Sequence, residues 1–270
     1  MKINSMRRSA KHFFRPANLL LLTKVFFKIL LQVKNWPDFI ANYSGLKNSK
    51  AKYYFRNGLV ANTTAGVDAA TLAVVWIKKE YGNVSNLSTV IDIGGNIGAF
   101  SLLVAKESPK CNIYAFEPEP NNFAIFKKNI LENKFDKRIK IFQQAVSGET
   151  KKEKLFISEY SPYHSLLSKN YKKFIFINSV SLDNIFQKNK IKNCDLLKID
   201  CEGSEFNILY STSKKTLNRI NNIRLEYHNQ QKNKANIGEL KKYLLASGFK
   251  LIMFHPNSES VGGAWFKKVS

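Results

Sequence analysis

The sequence of 270 residues is poor in cysteine, in acidic residues and in long apolar runs. Its three cysteines, Cys111, Cys194 and Cys201, are too few and too scattered for a disulfide framework, and they form no CxxC pair or zinc spacing. This usage predicts a reducing, cytoplasmic setting. The most apolar stretch, residues 18–36, is interrupted by lysines and is too short and too charged to predict a membrane span or a signal peptide.

Acidic residues are outnumbered, because 43 lysines and arginines stand against 20 aspartates and glutamates, for a net charge of +23. The excess is greatest in residues 1–60, which hold 12 basic residues and a single acid, Asp38. Such a balance favours an anionic partner, which could be nucleic acid, an anionic membrane surface or an acidic substrate. The alternative is a solvated basic surface without a partner, since net charge bears on association and not on fold.

The apolar pattern predicts a helical extension followed by one domain. The helix of the extension is predicted to end at Trp36-Pro37, because a proline restricts the residue before it. A further helix is predicted over 67–81. The predicted regions are a basic helical extension at 1–50 and a domain at 51–270, which divides into a lead-in segment at 51–87 and a core at 88–270.

In the core, short apolar strands alternate with helices. One of the predicted strands covers residues 139–146. This alternation predicts an α/β domain with a mostly parallel sheet and helices on both faces. Two strands close to the carboxyl terminus predict a hairpin, which would add an antiparallel edge to that sheet.

A glycine-rich turn follows the first strand of the core in the segment VIDIGGNIGAF, which contains Asp92, Gly94, Asn96 and Gly98. Glycines at the carboxyl end of a strand let the backbone approach a ligand closely. The dinucleotide fingerprint is not met, because Asn96 stands where a glycine is needed. The carboxylate of Asp92 suits the ammonium group of an amino-acid-bearing cofactor better than a pyrophosphate.

Glu117 ends the second strand of the core, about 20 residues past the glycines. A carboxylate at this place can accept hydrogen bonds from both hydroxyls of a ribose. We therefore predict that Glu117 binds a ribose.

Four titratable residues lie at the carboxyl ends of two later strands. Asp200 and Glu202 are two residues apart, as are Glu226 and His228, so that each pair can share a face. Glu205 falls in the first turn of the next helix, where an acid favours the helix dipole. Asp200, Glu202 and His228 could alternatively bind a divalent metal, but two strand-end carboxylates are not a coordination sphere, and we predict no metal.

Together these motifs resemble the FkbM-type methyltransferases that use S-adenosylmethionine (SAM). The resemblance covers roughly residues 53–268 and is carried, in order, by VIDIGGNIGAF, YAFEPEP, FQQAVSG, LLKIDCEGSEF and LEYHN. It implies a Rossmann-like fold with a mostly parallel seven-stranded sheet and an antiparallel C-terminal hairpin. It also implies SAM as the cofactor and methyl transfer to a hydroxyl oxygen of a sugar, polysaccharide or secondary metabolite.

The resemblance also implies roles for single residues. The methionine part of SAM would contact Asp92, Gly94, Asn96 and Gly98. The implied contacts of the rest of the cofactor are Glu117 at the ribose, Ala145 against the adenine and Asp200 at the reaction centre, and Pro118 is a further cofactor-binding residue.

A hydroxyl acceptor holds its proton tightly, so a general base should assist the transfer. His228 is the first candidate, because its unperturbed pKa lies near neutrality. Asp200 and Glu226 are alternatives, and Glu226 could instead orient the imidazole of His228. His164, in a polar loop, is a weaker second candidate.

Two other functions stay open. An RNA methyltransferase would need a basic patch interleaved with stacking aromatics, of which residues 53–56 (YYFR) are a thin version, and we therefore expect no nucleic-acid partner. A non-catalytic module that binds SAM or a glycan is disfavoured by the intact acidic motifs.

The apolar helix of the extension, residues 18–34, could lie in the interface of the inner membrane face with Lys24 and Lys28 near anionic headgroups. The alternative is that this helix packs on the core or forms a dimer interface. The sequence does not indicate an oligomeric state.

Overall fold

The computed structural model of the chain describes residues 16–157, 173–230 and 235–269. Its helices are α1 (Pro16–Gln32), α2 (Trp36–Tyr43), α3 (Asp68–Leu72), α4 (Ala99–Glu107), α5 (Pro120–Glu132), α6 (Leu182–Lys188), α7 (Glu205–Ser211), α8 (Lys214–Leu217) and α9 (Ile237–Ala246). A π-helix, Ala73–Lys78, continues α3 directly.

The strands alternate with these helices along most of the chain. They are β1 (Lys52–Tyr54), β2 (Val60–Asn62), β3 (Thr89–Ile93), β4 (Asn112–Phe116), β5 (Ile139–Phe142), β6 (Ala145–Val146), β7 (Lys152–Ile157), β8 (Lys173–Val180), β9 (Leu196–Ile199), β10 (Asn222–His228), β11 (Phe249–Pro256) and β12 (Val261–Lys268).

Seven strands form the main sheet in the order β11-β12-β10-β9-β3-β4-β5. The strands from β10 to β5 are parallel, and the hairpin β11–β12 joins β10 in antiparallel pairing. The predicted α/β fold, with a mostly parallel seven-stranded sheet and a C-terminal hairpin, is confirmed. The strand order reverses between β3 and β9, and ligands bind at such a point in open α/β sheets.

Two hydrophobic clusters cover the two faces of the main sheet. Neighbouring residues of one strand point to opposite faces, so that Val90 belongs to one cluster and Ile91 to the other. The first cluster contains residues of α4 and α5 with the N-terminal elements. The second contains residues of α6 to α9. Helices therefore pack on both faces of the sheet.

The predicted strand over 139–146 is wrong in one respect, because it is two strands in two sheets. β5 ends at Phe142 in the main sheet, and β6 begins at Ala145 in a separate three-stranded sheet with β8 and β7. An apolar pattern reports burial and not the partner strand, so the sequence could not reveal the change of sheet.

The prediction that the first helix ends at Trp36-Pro37 is also wrong. α1 ends at Gln32, Val33 then forms a bridge with Phe55, and Trp36 begins α2. Pro37 lies in the first turn of α2, where the missing N–H leaves no helical hydrogen bond unmade.

The extension packs into the same core as the lead-in segment. Val25, Ile29 and Val33 are buried with Phe39 and Tyr53 in the first hydrophobic cluster. Within the described residues, no helix has the length and apolarity that crossing a bilayer requires.

The helix predicted over 67–81 is present, but its second half is the π-helix Ala73–Lys78. Such insertions are rare and often lie at functional sites. Trp76 anchors it by donating a hydrogen bond from Nε1 to the carbonyl of Ala99, at 2.7 Å. Lys79, with φ of 56°, ends the π-helix in the left-handed region.

Candidate active site

A cavity of about 330 Å³ opens at the carboxyl ends of β3, β4, β9 and β10. This volume lies within the range of small-molecule sites. On one side it is lined by the glycine turn after β3 and by the residues after β4. On the other side it is lined by α3, the π-helix and the ends of β9 and β10, and Ala145, Val146 and Leu155 of the second sheet close it.

The glycine turn is shaped by close packing against the protein itself. Gly94 has a φ of +75°, and a Cβ atom there would lie 1.7 Å from the carbonyl oxygen of Asp200. Gly98 has a φ of +92°, and its Cβ would lie 2.2 Å from the ring of Phe126. Glycine at these two positions therefore lets β3 meet β9 and lets the turn pack on α5.

Asp92 lies beneath the turn and is fully buried. Its carboxylate accepts a hydrogen bond from Ser101 Oγ at 2.6 Å and pairs with Lys198 Nζ at 3.2 Å. The two residues are direct neighbours in the register of β3 and β9. Asp92 does not line the cavity. Its hydrogen-bond and ion-pair partners are other residues of the protein.

Lys198 is a buried ammonium group that sequence reasoning missed. Its Nζ donates to the carbonyl of Gly94 at 2.7 Å and lies 3.8 Å from Asp200 Oδ2. Burial by itself lowers the pKa of Lys198, but the charges of Asp92 and Asp200 outweigh burial and raise it. A lysine inside the apolar strand LLKI was the one available signal.

Glu117 lies across the cavity from the strand β9 and is held by main-chain amides. Its carboxylate accepts from the N–H of Asn96 at 2.7 Å and from that of Glu119 at 2.9 Å. Burial raises the pKa of Glu117 to about 7, and these two amides offset part of that rise. The carboxylate therefore changes its charge near neutral pH.

The cavity fits a nucleoside-bearing cofactor with an amino-acid tail. Asn96 Oδ1 is buried without a hydrogen-bond partner among the described residues, and Asn96 lines the cavity. A buried acceptor of this kind requires a donor. Glu117 offers a second acceptor on the same wall, and Gly94 presents backbone to the cavity.

Asp200 lines the opposite wall and is oriented by its neighbours. Tyr81 donates from its hydroxyl to Asp200 Oδ2 at 3.1 Å. Burial first, and then the charge of Asp200, raise the pKa of Tyr81 well above its usual value, so the phenol keeps its proton. Arg224 fixes the Tyr81 backbone by donating to its carbonyl, and the guanidinium of Arg224 stacks on Trp265. Sequence reasoning missed Tyr81, the last residue of a predicted helix.

Glu202 and Glu226 bring two more carboxyl groups to this wall. Burial raises the pKa of Glu226 to about 7, helped by the nearby charge of Asp200. Burial likewise raises the pKa of Glu202 to about 7, against the opposing effect of His228. The carboxylate of Glu226 makes no hydrogen bond or ion pair with another residue in the described part of the chain.

His228 is enclosed by two carboxylates behind this wall. Its Nδ1 lies 2.8 Å from Glu205 Oε1, and its Nε2 lies 3.5 Å from Glu202 Oε2. Burial alone lowers the pKa of His228, but the hydrogen bond to Glu205 and the charges of both glutamates outweigh it and raise the pKa to about 9. The ring is therefore an imidazolium at neutral pH.

The cavity brings together most of the residues predicted for the cofactor. Six of them line it: Gly94, Asn96, Glu117, Pro118, Ala145 and Asp200. Asp92 and Gly98 lie outside its lining. Of the predicted catalytic residues, Asp200 and Glu226 line the cavity, whereas His228 is not part of the lining and lies 3.5 Å from Glu202, which is.

Three further expectations concern His164, the YYFR stretch and a metal site. His164 lies outside the described residues. The stretch suggested for stacking on RNA bases is largely unsuited to that role, because Tyr53 and Phe55 are buried in the core. Among the described residues, no group of three or more potential ligands could hold a metal ion.

Several known methyltransferases are similar to this chain. "Methyltransferase 1" of Beauveria bassiana (strain ARSEF 2860) is 25% identical over 191 residues, which cover 63% of this chain and 75% of that protein. The 31-O-demethyl-FK506 methyltransferase FkbM of Streptomyces tacrolimicus is 25% identical, and the match covers 60% of this chain and 73% of that protein. The 2-O-methyltransferase NoeI of Sinorhizobium fredii (strain NBRC 101917 / NGR234) is 25% identical, and the match covers 53% of this chain and 64% of that protein.

The methyltransferase FkbM domain matches residues 92–251, which is more than half of the chain. This span runs from the end of β3 to the first strand of the terminal hairpin, and it contains the cavity-lining acids Asp200, Glu202 and Glu226. The chain therefore belongs to the FkbM methyltransferase family, and its cofactor is S-adenosylmethionine.

Proposed function

We propose that the protein transfers the methyl group of SAM to a hydroxyl oxygen of an uncharged acceptor, a sugar, a polysaccharide or a secondary metabolite. The observation that carries this proposal is Glu226, a carboxylate that lines the cavity with a pKa of about 7. The names of two relatives, a 31-O-demethyl-FK506 methyltransferase and a 2-O-methyltransferase, also support oxygen as the methylated atom.

We define the cofactor end of the cavity as Gly94, Asn96, Glu117, Pro118 and Ala145. In the proposal, Glu117 accepts from the ribose hydroxyls and Asn96 Oδ1 accepts from the amino-acid tail. When bound, SAM supplies a methyl group that its sulfonium has already activated. The protein then has to place the acceptor oxygen in line with that group, which is an orientation effect.

We define the acceptor end as Tyr81, Asp200, Glu202 and Glu226. A general base is most effective when its pKa lies near the working pH. Glu226 meets this condition, and no hydrogen bond to a described residue occupies its carboxylate. In the proposal Glu226 accepts the proton of the acceptor hydroxyl, while Tyr81 and Lys198 hold Asp200 in place.

The base role first predicted for His228 is less well supported, because an imidazolium has no free lone pair to accept a proton. With a pKa of about 9, His228 acts in the proposal as a fixed cation beside Glu202. There it would limit the repulsion among the three carboxylates of the acceptor end.

The charge of the acceptor end also favours an uncharged acceptor over RNA. Three carboxyl groups, of Asp200, Glu202 and Glu226, line this end, and a phosphate placed among them would be repelled. The net charge of +23 belongs to the rest of the chain. RNA methylation therefore stands as the outcome that would contradict the proposal.

The test uses SAM with a ¹³C-labelled methyl group and three acceptor pools: neutral oligosaccharides, hydroxylated small metabolites, and RNA. Mass spectrometry and ¹³C NMR of the products should find the label on oxygen in one of the first two pools. Label on a base nitrogen or carbon of RNA, with neither other pool labelled, would contradict the proposal. A Glu226→Gln variant run in parallel separates enzymatic transfer from spontaneous methylation.

We also propose that the enzyme works in the reducing cytoplasm. Its three cysteines are free thiols, and burial raises the pKa of Cys111 and Cys194 to about 12. Neutral buried thiols of this kind suit a compartment that keeps cysteine reduced.

A further inference from the structure

Helix α1 has two apolar faces, and the described residues cover only one of them. Val25 and Ile29 are 5% and 1% exposed and pack into the core. On the other side Phe27 and Leu31, four residues apart, are 61% and 72% exposed, and Phe26 beside them is 41% exposed. Residues four apart lie on one stripe of a helix, so Phe27 and Leu31 form a continuous apolar surface.

Lysines accompany this apolar stripe. Lys24 and Lys28, also four residues apart, are exposed on the same side of α1. The helix contains no acid, and Asp38 is the single acidic residue in the first 60. Exposed aromatic and aliphatic side chains next to cations are typical of helices that lie in a membrane interface.

We propose that the outer face of α1, defined by Lys24, Phe27, Lys28 and Leu31, docks on an anionic lipid surface. Phe27 and Leu31 would enter the acyl boundary, and the two lysines would contact the anionic headgroups. The buried stripe keeps α1 attached to the domain, so the helix would carry the whole enzyme to the surface.

A second copy of this chain fits the same face less well. Most homodimers have a twofold axis, and a twofold contact on this face would bring Lys24 and Lys28 of one copy against those of the other. Without an acid in α1 to pair with them, these charges would repel. An anionic lipid surface complements both the lysines and the apolar stripe.

The docking face also has a defined relation to the cavity. α1 packs against the π-helix, and Val74 and Val75 of the π-helix line the cavity. One helix, with a diameter of about 10–12 Å, therefore separates the cavity wall from the docking face. Docking would hold the enzyme with this wall close to the membrane.

The test is flotation of the full chain with vesicles of phosphatidylcholine containing phosphatidylglycerol, and with vesicles of phosphatidylcholine alone. The full chain should float with the anionic vesicles at low salt and lose most of that binding at 0.5 M salt, where charges are screened beyond about 4 Å. Phe27→Glu with Leu31→Glu should reduce partitioning at least tenfold. Lys24→Gln and Lys28→Gln should each reduce it about fivefold.

The matched control is the double variant Leu131→Glu with Ile252→Glu, which places the same two negative charges at apolar positions that are 57% and 52% exposed on other elements. This double control and its two single variants should float like the unchanged protein. Calorimetric SAM binding and the melting temperature show that every variant is folded.

Three results would overturn the proposal. The folded full chain could stay unbound to anionic vesicles at low salt. The control variants could lose as much binding as the double variant, which would assign flotation to the general positive charge. The double variant could instead convert a dimer to a monomer in light scattering without any vesicle binding, which would make this face an interface between copies. None of these results depends on the acceptor of the methyl group.

Discussion

The two ends of the cavity are held in place by different kinds of contact. At the cofactor end the main chain does most of the work, since Glu117 accepts from the amides of Asn96 and Glu119. At the acceptor end side chains hold one another, as Tyr81 and Asp200 do. Hydrogen bonds from main-chain amides can form within a short contiguous motif. The side-chain contacts of the acceptor end join residues that are far apart in sequence.

The difference also appears in the chemistry of the acidic groups. The cofactor end lines the cavity with one carboxyl group, Glu117, which main-chain donors already satisfy in part. The acceptor end has three, and the carboxylate of Glu226 accepts no hydrogen bond from a described residue. We expect substitutions at the first end to change binding and substitutions at the second to change turnover.

The largest effect is expected from Glu226→Gln. Loss of a positioned general base lowers kcat typically by about 10²–10⁴-fold, while a change at the acceptor end should leave the Kd of SAM within about twofold. The measurement is steady-state turnover on the acceptor found by labelling, together with calorimetry of SAM. Glu149→Gln, at an exposed position, is the control. Turnover that stays within about threefold of the unchanged enzyme would remove Glu226 as the base.

Lys198→Met should have the next largest effect, on stability. Removing one partner of a buried ion pair leaves Asp92 charged and without its partner, which costs about 3–5 kcal/mol of unfolding free energy. Urea unfolding measures this loss. The double variant Asp92→Asn with Lys198→Met removes both charges and should recover part of it. A loss under about 1 kcal/mol in the single variant would mean that the pair behaves like an exposed one.

Glu117→Gln should weaken SAM binding by about 1.5–3 kcal/mol at pH 8, the range for a hydrogen bond to a charged group. The unchanged protein should also bind more weakly as the pH falls. Because the ionised carboxylate is the better acceptor and its pKa is about 7, protonation competes with binding, and the affinity should drop about tenfold from pH 8 to pH 6.

Calorimetry at the two pH values tests the role of Glu117, and the Gln variant serves as the control because it cannot titrate. Its affinity should change little between pH 6 and pH 8. An equal pH dependence in both proteins would place the titrating group elsewhere, at Glu202 or Glu226, whose pKa values also lie near 7.

The smallest effect is expected from Tyr81→Phe, which keeps the ring and removes the hydroxyl that orients Asp200. One hydrogen bond contributes about 1 kcal/mol, so kcat should fall about fivefold. SAM binding and the melting temperature report the cofactor end and the fold, and neither should change. A weaker Kd for SAM with normal kcat would assign Tyr81 to the cofactor end instead.

Much of the cofactor end could be predicted because its residues form short contiguous motifs. The segment from Asp92 to Gly98 and the acid Glu117 are separated by one strand and one helix, in the order that α/β folds use. The reason for the glycines was less accessible. A side chain at Gly94 would collide with the carbonyl of Asp200, and one at Gly98 would collide with the ring of Phe126. These two contacts exist only after folding.

The acceptor end could be predicted only in part. Asp200 and Glu226 were placed at the carboxyl ends of two strands, and those strands, β9 and β10, are neighbours that bring both residues to the cavity. Lys198, however, gained its role through the register of β9 with β3, and Tyr81 meets Asp200 over 119 positions in sequence. Glu205 was predicted as a first-turn acid and does begin α7. Its contact with His228 depends on how α7 packs on β10, which no local pattern reports.

The most direct test of this division is an NMR titration of the His228 imidazole in the SAM-bound protein. His228→Gln assigns the signal among the four histidines. The ring is expected to stay protonated through neutral pH and to titrate near 9, because Glu205 and Glu202 enclose it, and this leaves Glu226 as the base. Titration near 6.5, the value of an unperturbed histidine, would contradict the account and return the base role to His228.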